Sequence, residues 1–252
     1  MINPIHAALT YDGYSAADLA TQCGVPRVEL LDETTSALDV AHVLAGEGAP
    51  AGTVVVADTQ TAGRGRLGRP WVSRSGAGVW CTIIERPADA RALDVLSLRV
   101  GMRVAAALDG LARERVRLKW PNDLVTKAGK LGGILVETRL SGDRVAWVAI
   151  GVGVNVRRPE MDGAAGFPDG VQRVDVLSAV VRGARAAAQR TGALSPIESA
   201  QWSNRDTLLH RRIVSPAVGI VRGIDTSGAL IVDTDSGTQR HRVGTIQLAE
   251  DA

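Results

Sequence analysis

The chain has 252 residues, 45% of them hydrophobic, and its 29 Lys and Arg nearly balance 27 Asp and Glu. That suits one large domain, or one with a small appendage; it excludes disorder as the main state, and with no basic arm it demands no nucleic-acid backbone as partner. Cys23 and Cys81 are too few for a disulfide framework and have no metal-ligand spacing with the four histidines; with no basic leader and no apolar run longer than Val145 to Val156, the reading is a cytoplasmic, soluble protein in a reducing compartment, without membrane contact.

Residues 1–27, broken by Gly13, Gly24 and Pro26, read as a lead-in that docks on the main domain. Ala37 to Leu44 has helical spacing, and TVVVAD at 53–58 reads as a buried strand. A Gly- and Arg-rich loop follows at 63–78, then a strand at 79–85. Leu96, Val100, Val104, Ala107, Leu108 and Leu111 recur at three and four and predict a helix over 93–111 packed on a sheet. Three strands come next, RVRLKW, KLGGILVETRL and RVAWVAIGVGVNV, the last two forming a hairpin across Ser141-Gly142-Asp143. The Pro- and Gly-rich segment 157–172 reads as a mobile, exposed loop. Helical patterns resume at 174–190 and 196–209. After Arg212, short β runs separated by Gly turns predict an antiparallel module of about forty residues.

Four motifs carry chemistry. GRGRLGRPW, Gly63 to Trp71, contains G-x-G-x-x-G, but Pro70 and Trp71 follow where a dinucleotide-binding loop would open into a helix. Arg64, Arg66 and Arg69 sit on a backbone whose glycines allow close approach, and guanidinium forks suit phosphate or carboxylate, so this is an anion-clamping loop or an ordinary Arg-rich turn. KWPND, Lys119 to Asp123, ends a strand at Pro121 and presents an amide beside a carboxylate, suited to orienting a metal-bound nucleotide or to a simple Asx turn. KLGGILVE, Lys130 to Glu137, sets a compact cation before two glycines; GVGVN, Gly151 to Asn155, repeats the glycine pattern and ends in an Asn. Only three of the basic residues are Lys, at 119, 127 and 130, and two of these fall inside the motifs.

Together, in this order, GRGRLGRPWVS, KWPNDL, KLGGILVE, GVGVNV and the closing RGIDTSGALIV resemble the biotin protein ligases, over roughly residues 28 to 250. The resemblance implies an α+β fold, a mixed β-sheet flanked by helices of the class II synthetase-like kind, followed by a small SH3-like β-barrel. The expected division is 1–27 as lead-in, 28–210 as the biotin- and ATP-binding catalytic domain and 211–252 as the β module. The implied reaction joins biotin to ATP with Mg²⁺, giving biotinyl-5′-AMP and pyrophosphate, and then transfers biotin to a lysine of the biotin carboxyl carrier domain of a carboxylase. Positioning and charge stabilisation would carry such a reaction, with no enzyme nucleophile.

Carried across by motif, Arg64 and Arg66 with Gly65 between them look like the loop that orders over biotin and the phosphates, with Arg69 on the phosphate side. Gln60 and Gly133 match biotin-side positions, and Lys130 matches the lysine between biotin's carboxylate and the α-phosphate. Asn122 and Asp123 match the pair that arranges ATP and metal, with Asp123 as the metal carboxylate and Lys119 beside them as a further ATP-side residue. Gly153 and Asn155 fall where the adenylate is held, and Trp71 is similar to the aromatic following the loop. The family's Ser-Thr-Asn ureido contact aligns either with Ser36-Ala37-Leu38 or with Thr34-Thr35-Ser36, so Ser36 and Thr35 are both candidates. Leu67 stands where Arg can occur, and Phe167, in the 157–172 loop, is a candidate to close over adenine. A homodimer is left open. Only about 27 residues precede the catalytic region, so a DNA-binding repressor is not expected; the competing readings are a lipoate or octanoyl ligase of the same superfamily and a nucleotide-binding module without catalysis.

Overall fold

Burial along the strands decides the layering. In TVVVADTQ and GVWCTIIE every residue from 53 to 57 and from 78 to 85 is buried, so both faces of these strands are covered. The computed structural model describes residues 6–7, 10–87 and 89–249. In chain order the elements of the main body are β1 (His6–Ala7), α1 (Ala16–Cys23), β2 (Arg27–Thr34), α2 (Ala37–Gly46), β3 (Thr53–Gln60), β4 (Gly78–Glu85), α3 (Leu96–Ala112), β5 (Arg117–Lys119), β6 (Asp123–Thr126), β7 (Gly129–Ser141), β8 (Arg144–Asn155), α4 (Arg173–Ala188) and α5 (Pro196–Ser203). The strands form one eight-stranded sheet in the order β1-β2-β3-β4-β8-β7-β6-β5. Only β2 and β3 run parallel.

Helices α1, α3 and α4 cover one face, packing Leu19, Leu108 and Val180 against Val54, Val56, Ile83, Ile150 and Ile134. The other face carries only α2, whose Leu38 and Ala41 meet Val55, Ala57, Ile84 and Ala149. A ten-residue helix is about 15 Å long, whereas eight strands span roughly 34 Å. One helix cannot cover that face, and the part left open is where the cavity lies.

Segments whose pattern was unreadable in sequence are held by local chemistry. Ser15 and Asp18 form a reciprocal capping box at the start of α1, and Gly24, with φ +66°, closes it. Tyr11 is buried beneath Arg173, which also binds Asp12 and Asp58. The described part of the lead-in thus packs on the core; residues 1–5 and 8–9 lie outside the described residues. The helix expected over 93–111 opens as a 3-10 turn, Ala90–Val95. The one expected over 196–209 ends at Ser203, and RVRLKW is strand only over Arg117–Lys119.

The 157–172 loop is exposed over much of its length, as the sequence reading has it, but its middle is docked on the sheet. Ala164 and Ala165 are buried, Lys130 N–H donates to the Gly163 carbonyl at 2.7 Å, and Ala165 N–H donates to the Lys130 carbonyl at 2.8 Å. A β-carbon on Gly129 would lie 2.2 Å from Gly163 O, so the loop and the start of β7 touch backbone to backbone.

After α5 the chain builds β9 (Arg212–Ser215), β10 (Gly219–Ile224), β11 (Leu230–Thr234), β12 (Gly237–His241) and β13 (Gln247–Leu248). They form an antiparallel five-stranded sheet ordered β12-β11-β10-β9-β13 around Ile213, Val221, Leu230 and Val232. This module is fastened to the main body by Trp120 Nε1 donating to Gly228 O at 3.0 Å and by Leu194 N–H donating to Thr226 O at 2.9 Å. Among the described residues no helix is long and apolar enough to cross a membrane.

Candidate functional site

The antiparallel register brings residues far apart in sequence into one row across the sheet. Trp80 on β4 opposes Gly153 on β8, Gly153 opposes Gly133 on β7, Gly133 opposes Asp123 on β6, and Asp123 opposes Lys119 on β5. Opposed residues share a face. The row lies beside α2 on the open face and forms the floor of a cavity of about 570 Å³. The 63–71 loop, the 157–164 segment and Gly244 to Ile246 of the C-terminal module form its walls.

The glycines of the row serve a purpose that sequence could not reveal. A β-carbon on Gly153 would lie 2.6 Å from Trp71 Cε2 and Nε1, and one on Gly133 would lie 3.3 Å from Trp71 Cζ3. The bare backbone expected to accept substrate is occupied by the Trp71 indole, which meets Trp80 edge-on with centroids 6.2 Å apart. Lys130 Nζ stands 5.3 Å from the Trp71 ring centroid and 2.7 Å from Asp123 Oδ1. Cation, aromatic and carboxylate therefore meet at one point, assembled from three of the four motifs.

One end of the cavity is capped by α2. Ser36 is the residue preceding that helix, 1% exposed, yet its hydroxyl makes no cap bond and has no partner among the described residues. Gln60 lies next to it, accepting from Ala37 N–H at 2.9 Å and donating to Ser73 Oγ at 2.7 Å. Trp71 Nε1 is also buried without a partner. Buried donors and acceptors left open cost free energy unless something completes them, and the Ser36 hydroxyl, which lines the cavity, is placed to be completed by a polar ligand, whereas Trp71 Nε1 lies against the Gly153 backbone. Thr35 does not line the cavity; its carbonyl accepts from Ala62 N–H at 2.9 Å and anchors the loop.

The other end is cationic. Arg66, Arg69, Arg74, Lys119, Arg157 and Arg158 line the cavity with no carboxylate within salt-bridge distance among the described residues, while Lys130 and Arg64 are paired. Burial pushes the Arg66 guanidinium pKa down, Asp123 opposes this and the Arg69 charge adds to it; arginine stays charged under such shifts. Unpaired cations in a cleft draw anions. The same end shows what would hold a metal. Asp123 is the carboxylate of the row, it is already engaged by Lys130, and no cluster of three acidic, His or Cys side chains exists among the described residues. That donor set does not fit a resident metal cage, but it fits one carboxylate contact to a magnesium carried in on phosphates.

Asn122 and Asn155 face the site but their amides are committed to structure. Asn122 Nδ2 donates to Ile134 O at 2.8 Å, and Asn155 Nδ2 donates to Ala165 O at 3.2 Å and to Lys130 O at 3.4 Å. Asn155 thereby ties the 163–165 loop to the backbone of Lys130. Phe167 corrects the expectation placed on it: its side chain packs against the hydrophobic core and is absent from the cavity lining, because Phe167 N–H donates to Val156 O and turns the residue inward. Gly65 lines the cavity beneath the clamp, with its N–H donating to Arg69 O at 2.7 Å. Sequence reasoning missed the contribution of the C-terminal module, where Arg69 Nη2 donates to Thr245 Oγ1 at 3.1 Å. It also missed Asp39, His42 and Glu137, whose spacing on one helix and one strand was the available signal.

The two sheets and this site define a class. Residues 33–155 match the biotin/lipoate A/B protein ligase family, and residues 212–248 match the biotin protein ligase C-terminal domain. The bifunctional ligase/repressor BirA of Bacillus subtilis is 32% identical over 241 residues, covering 86% of this chain and 72% of that protein. The biotin–[acetyl-CoA-carboxylase] ligase of Mycobacterium tuberculosis is 30% identical over 247 residues, covering 90% of this chain and 86% of its own. A variant of the Aquifex aeolicus biotin protein ligase solved with biotin superposes with a TM-score of 0.74 at 25% identity, covering 88% of this chain and 98% of that one. The chain belongs to the biotin protein ligase family.

Proposed function

We propose that this protein activates biotin with ATP and transfers it to a lysine of a biotin carboxyl carrier domain. The observation that carries the reading is the polarity of one cavity: an unsatisfied buried hydroxyl, Ser36 Oγ, at the end beside α2, and Arg66, Arg69 and Lys119 without carboxylate partners among the described residues at the other. A bicyclic urea suits the first end and a triphosphate the second, with Lys130 between them. The match of residues 212–248 supports biotin over lipoate.

In the first step a carboxylate oxygen of biotin attacks the α-phosphorus of ATP and pyrophosphate leaves. Lys130 is placed to neutralise charge on the carboxylate and α-phosphate, and its bond to Asp123 aims its ammonium along the sheet row. A magnesium carried by the nucleotide would be held by Asp123 as its protein carboxylate and would offset phosphate charge. Arg66 and Arg69 hold the leaving pyrophosphate, and Gly65 lets the loop backbone lie close over the substrate. In the second step the acceptor lysine's amine attacks the mixed anhydride and AMP leaves. Positioning by glycines, cations and amides suffices, since the anhydride is already reactive.

The test is transfer of labelled biotin to an apo carrier domain by the intact protein and by Lys130→Ala. Transfer by the intact protein, with a loss of at least about a hundredfold in the variant, is expected. No transfer of biotin with use of lipoate in its place would overturn the reading.

A further inference from the structure

We propose that Asp39 and Glu137 are positioning residues for the 63–71 loop, acting through the side chain of Arg64, with His42 and Trp147 fixing Glu137 in turn. The inference rests on the reading of the cavity as the biotin and ATP site.

Asp39 and His42 are three residues apart on α2 and therefore share a side of that helix. Glu137 is four residues past Gly133 on β7, on the strand face that looks into the cavity. Between these elements lies an unbroken line of side chains. Arg64 Nη1 and Nη2 each donate to an Asp39 carboxylate oxygen at 2.8 Å, a two-bonded fork. Glu137 Oε1 lies 3.6 Å from Arg64 Nη2, and its other oxygen, Oε2, is 2.9 Å from His42 Nε2. His42 Nδ1 accepts from Trp147 Nε1 at 3.0 Å. Because Nδ1 is the acceptor, the neutral ring carries its proton on Nε2 and donates it to Glu137. The Asp39 bond raises Arg64's pKa further, so its charge is permanent.

This line gives Arg64 a different role from its loop neighbours. Both guanidinium ends are spent on the protein's own carboxylates, while Arg66 and Arg69 have no carboxylate partner among the described residues and Arg69 bonds only the Thr245 hydroxyl. The backbone bonds Thr61 N–H to Thr34 O and Ala62 N–H to Thr35 O hold the entrance of the loop, and Arg64 latches the next turn onto the helix that Ser36 precedes. Beyond it the loop is exposed, with Leu67 73% accessible at a φ of +57° and no apolar packing to hold it. A segment of that kind sits at the low end of local stability, so a modest contact decides how much of the time it is closed. Exposed ion pairs are weak, and this one, with two bonds to one carboxylate, is expected near the upper end, where its loss costs about fivefold in an equilibrium.

The test uses the full chain and the variants Asp39→Asn, Glu137→Gln, Arg64→Ala and the double variant Arg64→Ala with Asp39→Asn. Biotin affinity is measured by calorimetry, release of enzyme-made biotinyl-adenylate by stopped flow, and the thermal midpoint as the control for folding. The expected result is that Asp39→Asn and Glu137→Gln weaken biotin about three- to fivefold and speed adenylate release while the midpoint and the KM for ATP stay put. Asp39→Glu should recover part of the loss. The double variant should be no worse than Arg64→Ala, since both remove one device. Losses that multiply in the double variant, or a loss in Arg64→Ala alone, would assign Arg64 to the substrate directly and overturn the proposal. No biotin binding by the unaltered protein would overturn the functional reading beneath it.

Discussion

Replacing Gly153 with Ala tests how tightly the floor of the cavity is built. Nothing about the backbone forbids the change, since Gly153 is not among the glycines with positive φ. The obstacle is the Trp71 indole, 2.6 Å from the added carbon at two atoms and 2.9 Å at a third. Carbon contacts relax at about 3.5 Å, so the ring must retreat by about 0.9 Å. Gly133 lies beneath another part of the ring and Trp80 stands at its edge, which leaves lifting into the cavity or spreading of β7 and β8. Spreading is overpacking, worth about 1–3 kcal/mol, or a fall of about 2 to 12 °C in thermal midpoint at this chain length. Lifting spares the midpoint and removes ligand space, with biotin affinity falling about tenfold for each 1.4 kcal/mol. Thermal unfolding and calorimetry on the same preparation separate the two. Gly151→Ala is the control, because its added carbon meets its nearest neighbours only at 3.3 Å. A Gly153→Ala protein unchanged in both midpoint and affinity would refute the claim that Trp71 fills the glycine row.

Ser36→Ala should leave folding stability unchanged or slightly raised, because the hydroxyl it removes is buried without a partner. Its biotin affinity should fall about two- to tenfold, the worth of one hydrogen bond; an unchanged affinity by calorimetry would remove Ser36 from the ligand end. A second test concerns Glu198, 6% exposed and bound to Arg99, whose remaining donors take the carbonyls of Thr191, Gly192 and Ala193. Burial pushes the Glu198 carboxyl up, but the bonds from Arg99 and Ser195 outweigh it and hold it at about 2, against an ordinary 4.5. A depressed folded-state value stabilises above the unfolded one, so about 3 kcal/mol should be present at neutral pH and lost as pH falls from about 4.5 toward 2. In urea titrations Glu198→Gln should differ most from the parent at pH 7 and converge with it near pH 2; a constant difference would contradict this.

Much of the main sheet was readable because its strands and helices carry strong periodicity. TVVVAD, VWCTIIE, the β7–β8 hairpin and the three longest helices fall where pattern put them, as the burial of both faces of β3 and β4 requires. The lead-in helix α1 was hidden because it is only eight residues long and its apolar stripe, Ala16, Leu19, Ala20 and Cys23, is mostly small residues, with its ends set by Ser15, Asp18 and Gly24. Strand β6 was hidden inside a motif read as a turn: Asp123 begins the strand that presents it. Phe167 was misplaced since a lone aromatic in a polar loop carries no sign of which way its backbone turns.

Sequence alone determined the residue types at the site, the motif order and the family they resemble, for these depend on local chemistry: glycines where backbone must be bare, Lys where a compact cation is wanted, Arg where a fork is. Only the tertiary structure decided what those residues face. Strand register aligned Trp80, Gly153, Gly133, Asp123 and Lys119 in one row, and it put Trp71 on the glycines and the C-terminal Thr245 beside Arg69. It also turned Arg64 toward Asp39. Register and loop closure are set by which faces are buried across the whole sheet, and no local stretch of chain contains that information.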